Sequence, residues 1–308
     1  MANTITGMTY ENVARMGIQA YADRLAPLSA FTMDLSADAA DQGTVVKTRI
    51  VPVAGTVGDL TDTHTGDYTD AIDDQAMSEV SVEMGSEPVI AFTFTDAEAN
   101  QISSGVFSDT VAKLVNQAAY AIANKVLDTC FTAVDTTYSA GVSAVAASAF
   151  DADDVADLRQ YCVTTGAWNF GVGDEKLICD SSYYTALLKD NALQDRSASG
   201  LDAVLSGNVP RCCGFDVIEA PSLAGAAANN TGAFAAKPEG MAIAMRGVAT
   251  QSNSDFLYHE ILQDDVSGVV LTAKSWFDRQ YHRVISSFET LWGRADGHAN
   301  GIIRVTSA

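Results

Sequence analysis

Basic residues are scarce: 18 Lys and Arg stand against 39 Asp and Glu in 308 residues, a net charge of −21. An acidic surface repels a phosphate backbone, which excludes sequence-specific nucleic-acid binding through a basic patch. The plainer consequence of the charge is solubility. Only six prolines and a moderate glycine content argue against a disordered or fibrous chain. No stretch of 18 apolar residues occurs, so no transmembrane helix is expected. Met1 to Gly7 lack the basic and apolar regions of a signal peptide, so folding in a cytoplasm is expected.

Cysteines are few and badly placed for a disulfide framework. The five (Cys130, Cys162, Cys179, Cys212, Cys213) include no C-x-x-C pair, and an adjacent pair rarely forms an ordinary bridge. Their apolar neighbours point to buried free thiols in a reducing compartment.

Catalytic signatures are also missing. Gly171-Val-Gly173 lacks the third glycine of a dinucleotide fingerprint, and there is no Walker sequence or nucleophile elbow. His64, His259, His282 and His298 are scattered, with none at the i, i+4 spacing of a helical zinc site. Asp59 to Asp67 does not match a calcium loop, and the sequon at Asn229 would not meet glycosylation machinery without a signal peptide. No catalytic, cofactor-binding or metal-ligating residue is expected, and the chain does not read as an enzyme.

What is present is enough apolar content, 47%, to fill two packed units. The chain is organised around residues 80–131. Val80–Met84 and Pro88–Asp96 alternate as strands, a short helix is expected near Asp96–Ile102, and one long helix over Ser108–Cys130. Ser108 suits an N-cap and Asp109 the positive end of the helix dipole. Val111, Leu114, Val115, Ala118, Ile122 and Val126 form its apolar stripe, and its alanines admit close neighbours.

Ahead of this stretch, Tyr10–Leu28 has helical character: either an arm lying on something else or a peripheral helix on its own domain. Thr44–Val53 reads as a strand that leads into a long polar excursion, with Val80–Met84 returning. From Val51 to Ala112 there is no Lys or Arg but there are twelve acidic residues, including Asp59, Asp62, Asp67, Asp70, Asp73 and Asp74. So acidic an excursion needs solvent, cations or basic groups from elsewhere, another copy of the chain included.

Beyond the long helix, Thr132–Ser148 reads as a linker or short hairpin. Phe150–Ser267 reads as a separate α/β unit. Its helices start near Asp151 and at Ser181–Lys189, the second capped by Ser181 or Ser182; its strands lie at Lys176–Cys179, Gly214–Pro221 and Gly240–Met245, and a loop spans Asn191–Pro210. Closing strands at Gly268–Phe277, Gln280–Trp292 and Gly301–Val305, with a turn at Asp278-Arg279, are expected to return beside the long helix.

This order resembles the major capsid proteins of tailed bacteriophages, which share the Johnson (Hong Kong-97-type) fold. Thr44–Pro52 looks like the strand entering that family's extended loop. Ala91–Glu98 followed by Val111–Leu127 looks like its strand and spine helix, and Cys213–Ala220 is similar to the G-F-x-V strand of its axial domain. The resemblance implies an α+β chain with an N-terminal arm (1–44), an extended loop (45–92), a peripheral domain with the spine helix (93–148 and 262–308) and an axial domain (149–261).

It further implies self-assembly through pentamers and hexamers into an icosahedral virion shell around double-stranded DNA, held without sequence-specific contacts. The expected partners are other copies of the chain, a separate scaffolding protein (or, instead of it, a scaffold segment already removed), a portal and a decoration protein, with no membrane. A lysine crosslink through the loop is not expected, because Val51–Ala112 holds no lysine. The six loop aspartates are candidate inter-subunit contacts, with Arg279, Arg283 and Arg294 as candidate basic partners. The alternatives are an encapsulin-like compartment and a cytoplasmic α/β enzyme with an acidic lid.

Overall fold

The computed structural model describes residues 10–34, 39–50, 78–95, 108–142, 144–170, 174–190, 193, 209, 211–221, 223, 230–249, 256–264 and 266–308. In chain order the elements begin with α1 (Tyr10–Arg24), β1 (Thr32–Asp34), β2 (Ala39–Ala40), β3 (Val45–Ile50), β4 (Ser78–Glu83), β5 (Val89–Thr95) and α2 (Ser108–Thr137). There follow β6 (Gly141–Val142), α3 (Ala152–Thr164), β7 (Lys176–Cys179), α4 (Ser181–Lys189), β8 (Arg211–Cys212), β9 (Phe215–Glu219) and β10 (Thr231–Ala236). The chain closes with β11 (Met241–Val248), β12 (Tyr258–Gln263), β13 (Val270–Asp278), β14 (Arg283–Glu289), β15 (Leu291–Asp296) and β16 (Ile302–Thr306).

The long helix α2 has 30 residues, ~45 Å at the usual rise. Val115, Ala118, Ala119, Ile122, Ala123, Val126, Leu127, Cys130, Phe131 and Val134 are buried along one stripe. Leu114 is instead an exposed member of the expected stripe. The helix outlasts its expected end at Cys130 and takes in the start of the expected linker. Phe131, Ala133 and Val134 continue the buried stripe, and the Thr132 and Thr136 hydroxyls donate to carbonyls one turn back (2.7 and 2.8 Å). Tertiary burial here overrides the weak helix propensity of threonine. The expected short helix near Asp96–Ile102 lies outside the described residues, as does most of the Asn191–Pro210 loop.

One core lies where α1 and α2 cover a four-stranded antiparallel sheet of order β12-β13-β14-β5. Phe92 and Phe288 meet at 5.7 Å on its covered face, and a Cβ on Gly17 of α1 would come within 2.7 Å of the Phe288 ring. Arg24 at the end of α1 donates to Asn124 of α2 at 2.8 Å. The helix at Tyr10–Arg24 thus packs on its own chain. In this sheet Lys274 and Glu289 are buried and ion-paired, and Ser287 donates to Glu289 at 2.9 Å.

A second core fills the space between α3, α4 and a six-stranded sheet of order β6-β16-β10-β7-β9-β8. Asp151 caps α3 in a reciprocal capping box with Asp154. The cap of α4 is Asp180, one residue ahead of the expected serines, and its carboxylate accepts from Ser182 N at 3.0 Å. Strand β10 (Thr-Gly-Ala-Phe-Ala-Ala) has no sequence signal, being short of β-branched residues, yet it is buried throughout as a central strand. Gly232 is required there, since a Cβ would sit 2.2 Å from the Tyr183 ring.

Two strands join other partners than expected. The strand near Gly240–Met245, expected in the Phe150–Ser267 unit, is β11; it pairs with β1 and β15 in a third sheet. The final strand β16 does return beside the end of the long helix, where Arg304 pairs with Asp135 at 2.9 Å, but its sheet partner is β10. Such choices rest on which apolar faces meet in space, and no local pattern encodes them.

Strands β3 and β4 make a separate antiparallel ribbon, from Val45↔Glu83 to Ile50↔Ser78. Two strands alone are marginally stable, so the ribbon depends on its seat. Its base is tied to β15 by paired bonds between Ser86 and Trp292 (3.2 and 2.9 Å). There β4 crosses Gly293 so closely that a Cβ would lie 2.0 Å from the Glu83 carbonyl oxygen.

Two outcomes test these arrangements. Lys274→Met should cost about 3–5 kcal/mol by stranding a buried carboxylate, and adding Glu289→Leu should restore most of it; denaturant melts of both variants measure this. Gly293→Ala should cost roughly 1–3 kcal/mol by overpacking against backbone, and an unchanged denaturation midpoint would count against the seat.

Candidate assembly surface

The hairpin joining β13 to β14 carries an exposed tip built from Asp278 outward. The Asp278 carboxylate accepts from the backbone N–H groups of Gln280 (3.0 Å) and Tyr281 (3.4 Å), which folds the turn on itself. His282 takes a left-handed conformation, φ 48°, that lets the chain re-enter β14. Arg283 Nε donates to Asp278 Oδ2 at 3.2 Å, and its guanidinium lies 4.9 Å from the Tyr281 ring centre. Phe277 meets His282 edge-on at 6.4 Å.

This packing holds two aromatic side chains in water. Tyr281 is 62% and Phe277 39% exposed. Between them stands Arg279, exposed, which makes no ion pair among the described residues. Aromatic rings beside an arginine are the composition of strong contact points in protein interfaces. Behind the tip, the sheet face turned away from α1 and α2 presents Val89 (53% exposed) and Ala91 at its β5 edge, while β11 covers part of the rest. There Lys274 is set beside Ser287 and His259 in the strand register. Burial, and then the Lys274 charge, holds the His259 imidazole below its usual value.

The three candidate arginines are not equivalent. The structure brings Arg279 and Arg283 to one turn, but Arg294 sits on β15 in another sheet, opposite Ile243. Arg283 is engaged by Asp278, and Arg294 donates to Asp296 at 2.6 Å. Arg279 alone of the three presents its charge outward. The six candidate aspartates (Asp59, Asp62, Asp67, Asp70, Asp73, Asp74) lie outside the described residues. Sequence reasoning named the arginines and missed Phe277 and Tyr281. The signal available was two aromatic residues flanking a turn that opens with Asp.

Elsewhere, among the described residues, no three His, Cys, Asp or Glu side chains are grouped to share a metal ion. No helix among them is long and apolar enough to cross a membrane. Burial pushes the Cys130 and Cys162 thiols up to about 12, as suits packed thiols.

Comparison with known proteins agrees with this architecture. A family model described as phage capsid protein matches residues 89–276, more than half of the chain. A search of curated proteins finds no match. The fold is similar to a chain of Mycobacterium phage Che8, with TM-score 0.52 and 16% identity over 96% of this chain and 90% of that one. It is similar to the mature capsid of bacteriophage PhiM1, with TM-score 0.52 and 10% identity over 91% and 86%. It is also similar to a virus-like particle from Pyrococcus furiosus, with TM-score 0.57 and 11% identity over 96% and 98%. At such identities the likeness is one of fold, and the family match favours a phage shell over an encapsulin-like compartment. The chain belongs to the phage capsid protein family and is a major capsid protein of the Johnson (Hong Kong-97-type) fold, a structural component of the virion.

Proposed function

We propose that this capsid protein assembles through pentamers and hexamers into an icosahedral shell enclosing double-stranded DNA, and that it performs no catalysis. The observation that carries the reading is the family match over residues 89–276. The net charge of −21 supports it physically, because an acidic wall does not bind the packaged genome to itself.

On this reading residues 45–92 form the extended loop, 93–148 and 262–308 the peripheral domain, and 149–261 the axial domain. The pairing of β16 with β10, and of β11 with β15, then ties the last two domains together. Assembly takes place in the host cytoplasm with a separate scaffolding protein and a portal, and a decoration protein is a further partner.

The acidic loop, with Asp59, Asp62, Asp67, Asp70, Asp73 and Asp74, reaches a neighbouring subunit. Arg279 is its first partner, and Arg283 and Arg294 are secondary because each already has a partner within the chain. An exposed ion pair is worth about 0–1 kcal/mol, so its effect depends on repetition around a closed lattice.

Negative-stain electron microscopy of the chain, alone and with its genomic neighbours, is expected to show closed shells or ringed capsomers. A monomer under every condition would overturn the reading. Arg279→Glu should leave the circular dichroism of the subunit unchanged and lower the yield of shells, most strongly at low ionic strength. Wild-type yield at every salt concentration would remove Arg279 from the contact.

A further inference from the structure

The assembly role uses neither member of the adjacent pair Cys212-Cys213, yet the fold places the pair with care. Cys212 ends β8, and Cys213 and Gly214 form the tight turn into β9, closed by the pairing of Cys212 with Phe215. Both turn residues are left-handed, with φ 48° at Cys213 and 98° at Gly214. That is the geometry in which a two-residue hairpin turn matches the twist of its strands. Arg159 on α3 pins the turn by donating Nη1 to the Cys213 carbonyl at 2.6 Å. A Cβ on Gly214 would lie 2.8 Å from the same Nη1, so the clamp fits a glycine there. The Cys213 thiol points at the Ala152 carbonyl, Sγ to oxygen 3.6 Å.

Held in this way, the two sulfurs are 3.9 Å apart. Adjacent Cα atoms are only about 3.8 Å apart, short of the spacing an unstrained disulfide needs. A single bridging atom meets no such conflict. With sulfur bonds of about 2.3 Å, the length found at thiolate-bound zinc, an atom bridging sulfurs 3.9 Å apart subtends about 115°, close to tetrahedral.

Access is graded in the same sense. Cys213 is half-buried and reachable, Cys212 lies beneath it at 3% exposure, Cys162 and Cys179 are fully buried in the same core, and Cys130 is buried in the other. Burial pushes the Cys212 thiol up to about 12, so it keeps its proton until a first bond to Cys213 brings a leaving group to it.

We propose that Cys212 and Cys213 form a dithiol binding site for a soft, thiophilic metalloid or metal centre that takes two sulfur ligands. Phenylarsine oxide is the probe. The Cys213 thiol adds across the arsenic–oxygen double bond, giving one arsenic–sulfur bond and a hydroxyl on arsenic. The Cys212 sulfur then displaces that hydroxyl, which leaves with the Cys212 proton as water. Two S–H bonds are broken, two arsenic–sulfur bonds form, one water is released, and nothing is oxidised or reduced.

The test uses the full, reduced, folded chain with one equivalent of phenylarsine oxide. Excess reagent is removed with a monothiol, and the product is read by intact mass and by thiol titration after denaturation. The expected result is one arsenical per chain with two thiols lost from the five, all five recovered with ethanedithiol. Cys213→Ser and Cys212→Ser should each lower retention by about 100-fold, because a single sulfur loses the effective concentration of its neighbour. Cys179→Ser should retain the adduct. If Cys212→Ser disturbs the core, the half-exposed Cys213→Ser carries the test, with circular dichroism as the check of folding. No retained adduct on the folded chain, or an undiminished one in Cys213→Ser, would overturn the proposal.

Discussion

Burial of one unbroken apolar stripe along α2 is the constraint on which the rest of this capsid subunit depends. Ala118, Ala119 and Ala123 carry no side chain beyond a methyl group, so α1 and the sheet beneath approach closely enough to exclude water. Ile122, Val126, Leu127 and Phe131 then supply the apolar area that drives the contact, at roughly 1.5–3 kcal/mol for each large side chain. The helix also reaches the second half of the molecule, because Phe131 packs edge-on against Phe234 of β10 at 5.9 Å. One rigid element therefore orients both cores.

The remaining architecture works by extension from that body. The β3–β4 ribbon cannot be stable alone and owes its direction to the crossing at Gly293 and the paired bonds of Ser86 with Trp292. The β13–β14 turn projects from the sheet on which α2 lies, and Asp278, Arg283 and Tyr281 hold each other so that its aromatic rings need no ordering when a partner arrives. A subunit that must meet many copies of itself gains from such preorganisation, because each contact is small and repetition supplies the strength.

Much of the fold was legible in the residues. The alternation of Val80–Met84 and Val89–Thr95, the stripe of α2, the helix start near Asp151 and the buried run Lys176–Cys179 all became the expected elements. The failures have physical causes. Strand β10 was missed because alanine and glycine carry no strand signal, yet Gly232 is what lets Tyr183 lie against it. The α2 terminus was placed too early because Thr132 and Thr136 are poor helix formers in isolation and acceptable ones when Phe131 and Val134 are buried. At the assembly surface the three arginines were legible as charges, but which of them was free was not. That depended on Asp278 and Asp296 lying within reach.

By itself, the amino-acid sequence determined the class of the protein: the acidic balance, the long helix and the order of elements that marks the capsid family. Periodicity and composition are properties of neighbours along the chain, and these features need nothing more. Only the tertiary structure decided that β16 pairs with β10, that Lys274 and Glu289 share a buried pair, that Gly293 carries the ribbon and that Arg279 faces outward. Each of these rests on groups brought together from distant parts of the chain, where packing and desolvation, rather than local propensity, set the energy.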